Sequence, residues 1–313
     1  MFFTFAGSLV TLVVCMLFGV IGRKKHIFTD ESDCVLSSLL INFTLPAMVF
    51  MSMFRPFSRT LLLEGGITIL IISTVFLSGL GLGKLLSLII PSNCNEKCIW
   101  QFSIMFPNVI YMGFPVIQSV FGDEGMLYAA MVSVAFNIMV FSLGIHLFRS
   151  DKSQETMGKF HLKQFLFTPA FIAVFIGLLF FVTEIRLPAP MERGIHLIGN
   201  MTTPIAMLLI GSLIVKAIGN AGFFTLIKDW RVYPIVIVRL LLIPVAVYLV
   251  LNIFIDNPIM LGTIVTLAAM PTATLTVIFS KQYSGDSTMA LKTIVLSNIL
   301  CLLTIPFLSL FLQ

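Results

Sequence analysis

The sequence predicts an all-α integral membrane protein of ten transmembrane helices, arranged as two related five-helix halves of opposite orientation. Three observations carry that expectation. The chain is too apolar to be covered in water, its links alternate between basic and less basic, and two sets of residues recur at a nearly constant offset.

Of 313 residues, 58% are hydrophobic and 11% are charged. A soluble domain carries roughly a quarter of its residues as charges, so lipid must cover most of this chain. A spanning helix needs about 20 apolar residues, and runs of that length recur along the sequence. Hydropathy places them at Phe2–Gly22, Val35–Phe54, Leu61–Ile90, Ile99–Phe121, Met126–Phe148, Phe165–Thr183, Ile195–Ala217, Val232–Ile255, Pro258–Lys281 and Thr288–Leu312. The first of these lacks the basic leader and small-residue cleavage site of a signal peptide and reads as a membrane helix.

The links orient the set. Arg23, Lys24 and Lys25 follow the first span, Lys84 and Lys97 flank the third link, and Arg149, Lys152, Lys159 and Lys163 occupy the fifth. Lys216, Lys228 and Arg231 lie in the seventh, and Lys281 in the ninth. The alternate links hold fewer basic residues and also carry Asp123, Glu124, Glu184, Glu192 and Asp256. Basic links stay in the cytoplasm, which places both termini outside a cytoplasmic (cell) membrane. The net charge of +5 is therefore read as orientation rather than nucleic-acid binding.

The second span reads INFTLPAM and the seventh GNMTTPIAM, each N-x-x-x-P, with Asn42 and Asn200 standing 158 residues apart. The fourth and ninth spans each have a proline in a polar-tinged middle and end at Gly122-Asp123 and Gly285-Asp286, 163 residues apart. The following helices hold Asn137 and Asn298. Each half has an odd number of spans, so the second half enters the membrane inverted. Inverted repeats are characteristic of secondary transporters. The halves are expected at 1–148 and 164–313, joined by a cytoplasmic linker at 149–163.

The fourth span holds Pro107, Asn108, Gly113 and Pro115, and the ninth holds Pro271, Thr272 and Thr274. Proline removes a backbone donor and clashes with the preceding turn. Backbone groups freed inside a bilayer survive only where protein or water satisfies them. Two such breaks at matching depth point to a central cavity. A helix restarted at Pro115 or Pro271 would present free N–H groups and the positive end of its dipole, a site for a carboxylate. Asn108, Thr272 and Thr274 could add hydrogen bonds. Asn42, Asn137, Asn200 and Asn298 read either as cavity lining or as interhelical hydrogen-bonding groups. Arg239, about eight residues into its span, is a substrate ligand, a brace for a carbonyl, or a side chain reaching the interface.

The five cysteines are scattered, and Cys94-x3-Cys98 lacks further ligands nearby, so neither a disulfide framework nor a metal site is expected. No catalytic or phosphate-loop motif is present, which argues against an enzyme, and no cofactor is implied. No deeply buried carboxylate is evident as a proton relay, while sodium could be held by carbonyls freed at the breaks. The coupling ion stays open between proton and sodium.

The stretches NVIYMGFPVIQSVFGDEG and AAMPTATLTVIFSKQYSGD, together with INFTLP, resemble signature segments of the auxin efflux carrier family, which includes bacterial malonate permease-like proteins. The resemblance runs over nearly the whole chain. It implies a scaffold of the first, second, sixth and seventh helices and a transport domain of the rest, with the fourth and ninth crossing at their breaks. It further implies elevator-type alternating access, a homodimer made through the scaffold, and crossover residues Asn108, Gly113, Pro115, Pro271 and Thr272. The short central linker is unlike the long cytoplasmic loop of the plant exporters and fits the bacterial members. The expected function is transport of small organic anions, malonate-like or auxin-like. A membrane sensor that binds without moving its solute, or a channel, are the alternatives.

Overall fold

The computed structural model describes residues 2–54, 57–90, 94–149, 169–221, 228–282 and 286–309. From residue 150 onward the expected linker lies outside the described residues, as does Gly285 of the repeated Gly-Asp pair.

Among the described residues the regular elements are helices. The helices are α1 Phe2–Lys24, α2 Asp30–Leu39, α3 Leu45–Met53, α4 Arg59–Ile89, α5 Cys94–Met105, α6 Phe114–Met139 and α7 Ile145–Arg149. They continue as α8 Pro169–Thr183, α9 Ala189–Asn200, α10 Thr202–Ala221, α11 Val232–Ile237, α12 Ile243–Leu251, α13 Pro258–Ala268, α14 Leu275–Gln282 and α15 Ser287–Ser309. Six continuous runs among the described residues are long and apolar enough to cross a membrane: Asp30–Met53, Arg59–Ile89, Val109–Phe148, Ala189–Lys216, Val232–Leu251 and Ser287–Phe307. Within the run Val109–Phe148, Gly122 has φ 60° and ψ −152°, a conformation open to glycine, so the run turns there.

Helix starts follow local chemistry. Thr29 and Ser32 form a reciprocal capping box on α2, whose first turn carries Asp30, Glu31 and Asp33, acids that suit the positive end of a helix dipole. Among the described residues four wide π-turns lie in three of these runs, at Leu40–Thr44, Val109–Gly113, Val140–Gly144 and Val238–Leu242. Three of these stand immediately before a proline at the second position of the next segment, Pro46, Pro115 and Pro244. A proline there cannot donate to the preceding turn, and the wider π-turn absorbs the mismatch. Asn42 and Arg239 both lie inside such turns.

The tightest approach is α1 against α10. A Cβ built on Gly211 would sit 2.1 Å from the Met16 carbonyl oxygen, and one on Gly19 would sit 2.2 Å from that of Leu208. Small residues of this kind let membrane helices meet backbone to backbone. At one end of this pair Arg23 bridges Asp30 and Asp33, Lys216 meets Asp30 at 2.9 Å, and Ser212 donates to buried Asp33 at 2.7 Å.

The other helices are pinned by two polar clusters, each at the start of a helix that breaks. Asn257 caps α13 by accepting from Ile259 and Met260, and its amide donates to Glu64 on α4 at 3.1 Å and to the Tyr128 hydroxyl on α6 at 3.0 Å. Tyr128 also donates to Glu64. At the start of α5, Glu96 accepts from Arg231 at 2.8 and 3.0 Å. Arg231 also meets Asp229 at 3.1 Å, which takes Lys292 of α15 at 2.9 Å.

Burial pulls the Asp229 carboxyl upward, but hydrogen bonds from Arg231 and Lys292 outweigh it and hold the group at about 2. A carboxyl held below its unfolded value stabilises the fold above that value, and the contribution is lost as pH falls through the folded one. The stabilisation is therefore complete above about pH 4 and disappears between about pH 4 and pH 2. Asp229→Asn should lower the thermal stability of detergent-purified protein at neutral pH by about 2 kcal/mol and remove this acid step. A variant that keeps the step would place it on another group.

Candidate functional site

Both expected breaks occur, and they touch. α5 ends at Met105, and Phe106, Pro107 and Asn108 run non-helically before the π-turn Val109–Gly113 leads into α6. α13 ends at Ala268, and the chain is unwound through Met270–Thr274 before α14. The two unwound stretches pass antiparallel, paired at Pro107 and Thr272. Asn108 N–H donates to the Pro271 carbonyl at 2.7 Å, and Ala273 N–H donates to the Phe106 carbonyl at 3.1 Å. Each break thus satisfies backbone groups of the other, as buried backbone polar groups require.

The restarts differ from the sequence expectation in position. The fourth span resumes its helical course at Asn108, not at Pro115. The Asn108 side-chain oxygen caps the turn by accepting from Tyr111 N–H at 3.2 Å. Pro115 sits buried seven residues into the resumed run, where the π-turn Val109–Gly113 before it accommodates its missing donor. The ninth span resumes at Leu275, with Pro271 inside the unwound stretch rather than at the helix start.

The expected residues fall into two groups. Asn108, Gly113, Pro271, Thr272 and Thr274 line or abut the crossing. Asn108 is 3% exposed and its side-chain Nδ2 has no partner among the described residues. A Cβ on Gly113 would lie 2.6 Å from Leu267 and 3.5 Å from Met270, so glycine lets the turn after Asn108 close on the end of α13. Thr272 is fully buried, donating its N–H to Ser297 Oγ at 3.2 Å and its hydroxyl to the Ser103 carbonyl at 3.5 Å. Thr274 is half-buried and its carbonyl accepts from Val277.

Asn298 follows Ser297 on α15 and is buried. Its amide nitrogen bonds Ile294 in its own helix, while its oxygen is unpartnered. Asn137 is buried near the end of α6 and makes no side-chain hydrogen bond among the described residues. Asn42 is exposed and donates to the Ser38 carbonyl of its own helix. Asn200, expected from sequence as its counterpart, pairs with His196 one turn back.

Arg239 is 1% exposed. It donates from Nε to the Met270 carbonyl at 3.1 Å, from Nη1 to Ile104 at 2.9 Å and from Nη2 to Ala268 at 2.8 Å. One guanidinium therefore holds the carboxyl ends of both first half-helices. Of the readings open from sequence, the carbonyl brace is the arrangement observed. Ser103 and Ser297 went unread, because a lone serine in an apolar span carries no periodic signal. Ser297 beside Asn298 was the available hint.

A family described as membrane transport protein matches residues 4–309. The chain belongs to that family. It is the same family, the auxin efflux carriers, that the signature segments resemble. Among similar proteins is "Uncharacterized transporter MJ1031" of Methanocaldococcus jannaschii, 22% identical with 94% of each chain covered. "Uncharacterized transporter YfdV" of Escherichia coli is 20% identical over 66% of this chain and 68% of its own. "Putative malonate transporter" of Rhizobium meliloti is 22% identical over 86% of this chain and 84% of its own. In this membrane transport protein two helices break and cross, paired at Pro107 and Thr272.

Proposed function

We propose that this membrane transport protein is a secondary carrier of small organic anions, mono- or dicarboxylates, that binds its substrate at the crossing of the two broken helices. The observation that carries the reading is the crossing itself. Two helix restarts meet there beside a buried, unpartnered Asn108 amide, with a cation close behind them. Helix N-termini favour anions, and an amide N–H adds a directed donor. Similarity to a protein named as a malonate transporter supports a dicarboxylate among the candidates.

The movement proposed is elevator-like, within a ten-helix fold of two inverted five-helix halves at 1–148 and 164–313 and with both termini outside the cell membrane. Packing supports the division of labour. α1 packs along α10, and α3 packs on α8 and α9, forming the scaffold side. α4, α5, α6, α13 and α15 are tied together by the two polar clusters and the crossing. A homodimer through the scaffold and a coupling ion, proton or sodium, complete the proposal.

Counterflow in proteoliposomes tests it. Preloaded unlabelled carboxylate should drive saturable accumulation of labelled carboxylate. A sensor would bind without counterflow, and a channel would give flux that does not saturate. Absence of counterflow across a panel of mono- and dicarboxylates contradicts the proposal.

A further inference from the structure

The crossing gathers four helix ends. Two are carboxyl ends, of α5 and α13, and two are amino ends, of the turn after Asn108 and of α14. Each carboxyl end carries about half a negative charge and each amino end about half a positive one. Left alone, the four nearly cancel, and the site would have little preference for the sign of its ligand.

Arg239 upsets that balance. Its guanidinium donates to carbonyls of both carboxyl ends and to neither amino end. None of the ion pairs among the described residues includes it. A buried cation without a carboxylate partner is costly, and here its positive charge is offset only by carbonyl dipoles. The amino ends and Asn108 Nδ2, buried and without a partner, are left facing a net positive surrounding.

Resting on the anion-carrier reading above, we propose that Arg239 sets the charge selectivity of the crossing. It is a positioning residue that does not ligate the substrate. By neutralising the two carboxyl ends it makes the site anion-selective, and it favours two carboxylates over one. Its three-way geometry also explains arginine at this position. A planar fork of five donors reaches three separate carbonyls, whereas a lysine ammonium keeps the charge but not the span.

The test compares KM for malonate and propionate, which have equal carbon number but two carboxylates against one, in proteoliposomes under mildly alkaline conditions. Arg239→Gln should raise KM for malonate about tenfold more than for propionate, since each substrate charge loses one interaction with the cation. Arg239→Lys should keep the wild-type malonate-to-propionate ratio within about threefold, because the charge remains. Equal shifts for both substrates in R239Q, or a ratio lost in R239K as fully as in R239Q, would overturn the assignment. Should R239Q fail to reach the membrane, the R239K ratio decides alone. A wild-type protein that transports neither substrate refutes the carrier reading instead, so the two failures are distinguishable.

Discussion

Replacing Asn108 with leucine together with Thr272 with valine should reduce carboxylate counterflow at least about 100-fold, while the protein still reaches the membrane. The Asn108 change removes a helix cap, worth about 1 kcal/mol, and the buried amide donor left without a partner. The Thr272 change removes a hydroxyl whose bond to Ser103 is already long at 3.5 Å. The backbone pairing of the two breaks, Asn108 N–H to Pro271 and Ala273 N–H to Phe106, uses neither side chain and survives. The structural cost is therefore modest. A hydrogen bond to a charged group contributes about 1.5–3 kcal/mol, so losing two from a bound anion corresponds to about 100-fold or more. Matched membrane abundance with unchanged counterflow would remove these side chains from the site.

The second large effect concerns stability. Gly211→Val should destabilise the protein by about 3 kcal/mol or more, the upper range for overpacking. The first added carbon would meet the Met16 carbonyl at 2.1 Å and Val20 N at 2.9 Å, both backbone atoms that cannot rotate away. α1 and α10 would have to separate along their length. Gly66→Ala is the control, since nothing lies within 4 Å of a Cβ there. Thermal unfolding in detergent should show a large loss for the first variant and none for the second. A Gly211→Val protein that melts with the wild type would mean that the helices do not meet this closely.

The fold's class and the existence of both breaks were legible because they depend on local composition. Apolar length marks the helices, and proline marks the interruptions. The position of each break was less legible. Pro107 and Pro115 look alike in sequence, yet the π-turn before Pro115 accommodates it within a continuous run, and only the one before Asn108 coincides with unwound chain. The N-x-x-x-P match placed Asn42 and Asn200 in equivalent positions, but each bonds within its own helix. A π-turn precedes Pro46, whereas α9 ends at Asn200 and α10 begins at Thr202, just before Pro204, so the match in sequence does not carry over to the local backbone. Arg239 was visible as a charge in an apolar span, while its role was not. Its carbonyl partners lie 29, 31 and 135 residues away, and no local pattern announces contacts of that range. Glu64 joins α4 to Tyr128 and Asn257, contacts 64 and 193 residues away that no local pattern announces.

The central claim is that an organic anion binds between the crossed breaks, and a structure of the protein with a transported carboxylate tests it most directly. Ligand density should lie against Asn108 and Thr272, with a carboxylate directed at the restarts near Val109 and Leu275. Density for the transported carboxylate at another place, with the crossing filled only by protein, would contradict the account.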